Sequence, residues 1–334
     1  MIDDVQIRSF ASADAERVIE FWRENLPAQQ PWNEPRAALV RKLYSADQLV
    51  LVAELNDRII ATTMAGYDGV RGWIYAVAVA PVWRRRGIGQ RMVAEAEQCL
   101  RSRGCIKVNL QVRGDNPDVI AFYLHCGYAI EGRTSFGKVL EMTAIDRLES
   151  CAEPVEAVPT IPIHNGLVLT PIRMSDRNAY VTRLNATRVY HENGATLPFP
   201  YLEIDAEQWI YRALRESLER DQSRNWAIRN AQGELVGGVG FMGLQVGDKA
   251  EIGYWLAEHL WGRGAMTAVV QSVCDFGFSA YDLQKIFGQV FSNNIGSARV
   301  LEKAGFTLEG TLRAHFRRDG KGRDVLVYGK LRGE

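Results

Sequence analysis

Val77-Ala78-Val79-Ala80-Pro81-Val82-Trp83-Arg84-Arg85-Arg86-Gly87-Ile88-Gly89 is an apolar run that stops at a proline, passes three arginines and closes on Gly-x-Gly. It reads as a strand, a tight loop and the start of a helix, which is expected to end near Arg103-Gly104. A second stretch has the same layout: Ile252-Gly253-Tyr254-Trp255-Leu256-Ala257-Glu258-His259-Leu260-Trp261-Gly262-Arg263-Gly264, before a helix expected to end near Ala280. Gly87 and Gly262 stand 175 residues apart. Further on, Asn116 lies eleven residues before Gly127-Tyr128, and Asn294 eleven before Gly305-Phe306. Ile130-Glu131-Gly132 then matches Leu308-Glu309-Gly310 at a constant offset of 178, as if three residues were inserted between the blocks. Matched spacing in two separate blocks points to a duplicated architecture.

The surrounding elements keep the same order in both halves. Strands are expected at Val5–Phe10 and Leu167–Arg173, each followed by a Ser/Asp capping signal, Ser12-Ala13-Asp14 and Ser175-Asp176. Helices are expected at Pro35–Tyr44 and Ala206–Arg220. Two hairpins follow, turning at Asn56-Asp57 and Gln232-Gly233. Between the halves, Pro154, Pro159 and Pro162 crowd into nine residues, which reads as an extended spacer. The expected organisation is therefore a domain at 1–148, a proline-rich linker at 149–165 and a domain at 166–334.

The 334 residues suit two ordinary domains, and 47% hydrophobic content is enough for two cores. Forty basic residues balance forty acidic ones, so no global field draws nucleic acid or an anionic membrane. Five cysteines without a C-x-x-C pair, and five scattered histidines, give neither a disulfide framework nor metal-ligand spacing. No metal is expected. The N-terminus shows no secretory signal and no apolar run reaches transmembrane length, so a cytoplasmic location is expected. The sequence says nothing of the oligomeric state.

A strand leading through Gly-x-Gly into a helix puts unpaired backbone amides, and the positive end of the helix dipole, at one point. That is an anion site suited to a phosphate, and glycine keeps side chains out of the way. Arg84, Arg85, Arg86 and Arg91 would add charge suited to a pyrophosphate with a further phosphate. The dinucleotide fingerprint needs a third glycine where Met92 and Thr267 stand, and no Gly-Lys-Ser/Thr is present for a nucleoside-triphosphate loop.

At these residues the chain resembles a known family. Arg84-Arg85-Arg86-Gly87-Ile88-Gly89 is similar to the Arg/Gln-x-x-Gly-x-Gly/Ala loop of the GNAT acetyltransferases, and Asn116…Tyr123…Gly127-Tyr128 to their next motif. The first half resembles small YpeA-like bacterial members through Pro31-Trp32-Asn33-Glu34-Pro35, Gly66-Tyr67-Asp68-Gly69 and Ser102-Arg103-Gly104-Cys105. The second half resembles the RimJ/RimL type, which acetylates ribosomal-protein N-termini and small amines, through Glu251–Leu256, Trp261–Gly264, Asn293-Asn294…Ser297 and Glu309–Arg313. The resemblance implies an α/β (α+β) fold: two acyl-CoA N-acyltransferase domains in tandem, each a twisted mixed β-sheet flanked by helices. It implies acetyl-CoA as co-substrate and direct transfer of acetyl to a primary amine of a small molecule or a peptide N-terminus. In the first half the CoA-binding residues would be Val77, Ala78, Val79, the loop Arg84, Arg85, Arg86, Gly87, Ile88 and Gly89, and Asn116. In the second they would be Ile252, Tyr254, His259, Leu260, Trp261, Gly262, Arg263, Gly264 and Asn294.

Acetyl transfer needs the amine to lose a proton, donors for the oxyanion, and a proton for the departing thiolate. Tyr123 stands at the family's acid position; the alternative is packing beside Phe122. Its counterpart is Leu301, which leaves Asn294 and Ser297 as polar candidates in the second half, with Ser297 a possible proton relay; the alternative for both is helix N-capping. The position of a base glutamate in some relatives is taken by Gln111 and Gln289. Glu251 is the base candidate in the second half; matched to Ala76 in the first, it leaves Asp68 and Tyr75 there. Trp32-Asn33 and Pro198-Phe199-Pro200-Tyr201 are candidates for the acceptor pocket. Two alternatives remain: one half catalytic and the other a silent CoA-binding or regulatory domain, or a non-enzymatic acyl-CoA sensor.

Overall fold

The computed structural model describes residues 4–26, 33–45, 47–138, 158–163, 166–194, 196–218 and 224–334. The chain divides into two compact units, Met1–Glu141 and Met142–Glu334. In unit 1 the order is β1 (Gln6–Ser9), α1 (Ala15–Asn25), α2 (Pro35–Tyr44), β2 (Val50–Leu55), β3 (Arg58–Tyr67), β4 (Gly72–Val79), α3 (Ile88–Arg101), β5 (Val108–Asn109) and α4 (Pro117–His125). The five strands form one sheet in chain order, antiparallel except for the parallel pair β4–β5. Asn56 and Asp57 both have positive φ, +49° and +59°, as the tight turn between β2 and β3 requires. Helix α3 turns Ile88, Met92, Val93, Ala96 and Leu100 onto the sheet. Each such burial stabilises by roughly 1.5–3 kcal/mol before ordering entropy. On the other face Trp22 of α1 donates its indole N–H to Thr62 Oγ1 on β3 (2.8 Å).

Unit 2 runs β6 (Ile161–Ile163), β7 (Leu167–Pro171), α5 (Arg177–Leu184), α6 (Val189–Asn193), α7 (Glu203–Leu218), β8 (Arg224–Arg229), β9 (Leu235–Met242), β10 (Lys249–Leu256), α8 (Ala265–Ala280), β11 (Lys285–Phe291), α9 (Ile295–Lys303), β12 (Thr307–Arg318) and β13 (Lys321–Leu331). Its sheet order is β12-β13-β11-β10-β9-β8-β7-β6, with β10–β11 the parallel pair. Helix α8 packs so closely that a Cβ on Gly277 would lie 2.7 Å from Phe241 Cζ.

One expectation is corrected here. Within the stretch read as a linker, Ile161-Pro162-Ile163 is a strand paired with Leu167–Leu169. Proline is tolerated because β6 is the sheet's outermost strand, where no ladder donor is needed from it. The linker residues 149–157, with 164 and 165, lie outside the described residues, as does Trp32.

The two capping signals are the same device with its cation exchanged. Asp14 accepts from the Ala11 amide, and Asp176 from the Arg173 amide, both at 2.8 Å. Asp14 is held by Arg8 of β1. Asp176 is held by Arg229 of β8, at 2.8 and 2.9 Å, while Arg229 Nε donates to Thr170 Oγ1. By register Thr170 stands where Arg8 does and Arg229 where Glu54 does. The buried carboxylate is kept and its partner is supplied from the neighbouring strand.

Candidate active site

In both units the parallel strands pair only at their start. β4 and β5 meet at Gly72–Val108 and Trp73–Asn109, whereas β10 and β11 meet at Lys249–Lys285, Ala250–Ile286 and Glu251–Phe287. The last pairs, Trp73–Asn109 and Glu251–Phe287, are 178 residues apart on both strands. Beyond them the strands part. Val77, Ala78 and Val79, and likewise Ile252 and Tyr254, then lie on strand edges with no neighbour on that side among the described residues. Such an edge can pair with an extended amide-bearing ligand.

The edge ends in the loop, where the offset read from the sequence is corrected. The 3-10 turns Pro81–Trp83 and Glu258–Leu260 are equivalent, and the left-handed residues that cap the helices are Gly87 (φ +78°) and Gly264 (φ +76°), 177 apart. Thus Gly262 (φ +72°) matches Arg85 (φ +59°). Gly89 matches Met266 inside the helix, where a Cβ on Gly89 would lie 3.3 Å from the Phe122 ring. The Gly-x-Gly pairs are out of register by two residues because the capping φ, not the glycine spacing, fixes the turn. On β4 the offset is 178 before Ala76 (φ +52°) and 177 after it, because Ala76 sits at a bulge between the Thr62–Ala78 and Met64–Tyr75 pairs of β3 and β4; it returns to 178 between the loop helices and the next strands, where Asn109 matches Phe287. No bulge interrupts β9–β10. Above the bulge Glu251 therefore matches Trp73, not Ala76, and Gly253 matches Tyr75.

Gly87, Gly262 and Gly264 have no atom within 4 Å of where a Cβ would be. The space in front of these amides is open, and the amides crown the amphipathic helices α3 and α8. Around the first loop Arg84 Nε donates to the Val79 carbonyl (3.0 Å), and Arg86 stacks on Trp83 at 4.9 Å. Arg85 is exposed. Arg91 instead reaches back to the Val5 carbonyl (2.8 Å), which ties the helix to the chain's start and removes it from the expected phosphate cluster. Around the second loop His259, Trp261 and Arg263 are exposed, Leu260 is half-buried, and Trp261 Nε1 donates to the Leu256 carbonyl (2.5 Å).

Asn116 and Asn294 cap α4 and α9 by accepting from the Val119 and Ser297 amides, so the capping alternative describes Asn294, while Ser297 is the residue capped. Tyr123 is buried, edge-on to Phe122 and Tyr128, and loss of solvent pushes its hydroxyl up to about 12. Ser297 Oγ accepts from Asn294 Nδ2 (3.1 Å), which leaves its own proton free to be donated. Its carbonyl accepts from the Tyr254 hydroxyl (3.1 Å). Burial raises the Glu251 carboxyl above its ordinary range. Asp68 accepts from the Val70 and Arg71 amides in a turn, which lowers its pKa and makes it a weaker base. Gln111 and Gln289 are exposed.

Unit 2 contains a cavity of about 960 Å³ that the sequence did not reveal. It runs from Gly262 and Gly264 past Ser297 to a wall of Tyr180, Tyr201, Trp209 and Trp255. Its origin is visible in the register. Where unit 1 pairs Met64 with Tyr75, unit 2 pairs Gly240 with Gly253. Tyr201, from the expected Pro198–Tyr201 segment, lines the cavity, whereas Phe199 stacks on Arg188. Glu251 shares a strand face with Gly253 but does not line the cavity; Met242, its cross-strand partner, lies over Gly253.

Two family descriptions match this chain: the acetyltransferase (GNAT) family over residues 15–128 and the acetyltransferase (GNAT) domain over 166–307. An acetyltransferase of Yersinia pestis (strain Pestoides F) is 40% identical over 136 residues, covering 41% of this chain and 96% of the relative. An acetyl transferase of Salmonella typhimurium that modifies the N-terminal serine of ribosomal protein L7/L12 is 21% identical, with a TM-score of 0.48, over 52% of this chain and 99% of that one. RimJ of Mycobacterium smegmatis in complex with CoA-disulfide is 27% identical, with a TM-score of 0.44, over 52% and 86%.

Proposed function

The chain belongs to the acetyltransferase (GNAT) family, with one family domain in each half, and from that premise we propose that each unit binds acetyl-CoA and that acetyl passes directly to a primary amine of a small molecule or a peptide N-terminus. One observation carries this: in both units a parted parallel strand pair leads into a helix capped by a left-handed glycine with open space before it. The amides after Gly87 and Gly264 would hold the pyrophosphate, with Arg85, Arg86 and Arg263 beside it. The open edges of β4 and β10 would pair with the pantetheine amides. The first domain is proposed to run 1–148 and the second to take in β6, which pairs with its sheet, through to 334, and the chain is proposed to act in the cytoplasm; among the described residues no helix is long and apolar enough to cross a membrane.

In unit 1, Tyr123, at the position that the family resemblance gives to the acid, is the proposed proton donor. At about 12 its hydroxyl stays neutral at any working pH. Full transfer to a thiolate, whose ordinary pKa is about 8.5, would be uphill. Tyr123 therefore acts by donating a hydrogen bond as the thiolate forms, with the net proton coming from the amine. In unit 2, Ser297 holds the corresponding donor role and Glu251, its basicity raised by burial, takes the amine's proton through a water.

A second reading gives turnover to one unit and binding alone to the other. It is favoured by the asymmetry of Tyr123 against Leu301 and of Glu251 against Trp73. CoA release from acetyl-CoA across an amine panel, compared for wild type, Tyr123→Phe and Glu251→Gln, decides between them. Loss in one variant only assigns the active unit, and unchanged turnover in both variants overturns the proton assignments.

A further inference from the structure

We propose that the acceptor site of unit 2 selects an amine with an aromatic body and a neighbouring carbonyl oxygen, such as an aromatic amino-acid amide, through Asn225. The inference rests on the acetyltransferase reading above. Asn225 is on β8 beside the glycine row, paired with Gly240, which pairs with Gly253. It is 6% exposed and lines the cavity, and its side-chain Nδ2 has no hydrogen-bond partner among the described residues. By register its counterpart in unit 1 is Val50, beside Met64 and Tyr75. In unit 2 the two bulky neighbours are glycines and the apolar one is an amide. A buried donor left unmade is costly, so its retention beside an emptied row implies an acceptor atom that arrives from outside.

The rest of the wall fixes the body of the ligand. Tyr180, Tyr201, Trp209 and Trp255 line this end, and Trp255 lies over Gly238, where a Cβ would come within 2.6 Å of its indole nitrogen. The charged residues lining the cavity, Arg299 and Lys303, are both cations on α9. Among the described residues no carboxylate lines it, so a second ammonium on the acceptor would find no partner there. Polyamines are therefore disfavoured, and a flat apolar group carrying one amine and one carbonyl is matched.

The test uses the full chain saturated with CoA and titrated calorimetrically with L-phenylalaninamide, 2-phenylethylamine, glycinamide and spermidine. Phenylalaninamide should bind about tenfold more tightly than 2-phenylethylamine, which lacks only the carboxamide. It should also exceed glycinamide and spermidine. Asn225→Leu should abolish the advantage over 2-phenylethylamine while keeping that over glycinamide. Should this variant misfold by circular dichroism, the wild-type ratio alone decides. Equal binding of phenylalaninamide and 2-phenylethylamine, tighter binding of spermidine, or an unchanged ratio in Asn225→Leu overturns the proposal. Failure to bind CoA at the outset overturns the acetyltransferase reading instead.

Discussion

Replacing the capping glycines one at a time separates the cost of a backbone conformation from the loss of an anion site. Gly87 and Gly264 have φ of +78° and +76°, and at either one a Cβ would have no atom within 4 Å. Alanine would therefore meet no clash, and the folding cost is that of a left-handed residue alone, about 1–2 kcal/mol. For units of this size that lowers an unfolding midpoint by roughly 2–8 °C. Binding should suffer more, because the methyl enters the space in front of the amides. A hydrogen bond to a charged group is worth about 1.5–3 kcal/mol, so displacing one phosphate contact weakens CoA by roughly ten- to a hundredfold. Gly104 supplies the control: φ +86°, equally open, at the far end of α3. Calorimetric titration with CoA should find two sites in wild type and in Gly104→Ala. It should find one in Gly87→Ala and one in Gly264→Ala. If Gly87→Ala melts like Gly104→Ala yet keeps both sites at full affinity, the helix N-terminus is not where the phosphate sits.

Three further outcomes are expected. Tyr123→Phe should lower kcat in unit 1 by about a hundredfold with KM little changed, read from stopped assays on a Gly264→Ala background; because Tyr123 sits at about 12, the wild-type rate should show no alkaline fall below pH 10. Glu251→Gln should change stability with a definite sign. The folded carboxyl has a raised pKa, so its penalty is absent below the ordinary carboxyl range, grows as pH rises through the folded value and is complete above it. Urea unfolding should then show the variant at least as stable as wild type at pH 8, with that advantage gone at pH 4. Asp176→Ala strands Arg229, 6% exposed, in the interior of unit 2; a loss of about 3–5 kcal/mol is expected in denaturant titration.

What could be seen in the sequence was what local rules determine. Pro35–Tyr44 was legible because proline opens the helix and Glu34 caps it by accepting from the Ala37 amide. The order of elements and the duplication were legible because spacing between blocks survives substitution. The registers were not. Nothing local announces that Ala76 takes φ +52° and puts the strand out of step by one residue; with the two residues lost by pairing the wrong loop glycines, this set Glu251 against Ala76 instead of Trp73. Likewise Gly89 looks like a loop glycine in sequence, and only its approach to Phe122 shows it to be a packing residue. The cavity was illegible for the same reason. Gly240 and Gly253 are thirteen residues apart and become a single feature only when β9 pairs with β10. Ile161–Ile163 read as spacer because proline argues against a strand until the strand is known to be at an edge.

The placement of sameness and difference bears on how the two units divide the work. The left-handed caps, the end of parallel pairing and the buried Asp14 and Asp176 recur, and all three serve the strand edge, the loop or the frame beneath them. Differences gather on the side proposed for the acceptor: Tyr75 against Gly253, Met64 against Gly240 and Val50 against Asn225, with Trp73 against Glu251 on the same strands as the first pair. A duplicated pair that had kept one substrate would be expected to differ on the surface and agree here. That pattern is not found. Left-handed glycines serve the fold as well as a ligand, so their retention in both units carries less weight than the open space in front of both. Two preserved loop-and-edge arrangements beside two different proposed acceptor faces fit the proposal of two units drawing on the same acyl donor for different amines, and paired titrations of Gly87→Ala and Gly264→Ala with separate amine panels would show each variant losing a different acceptor.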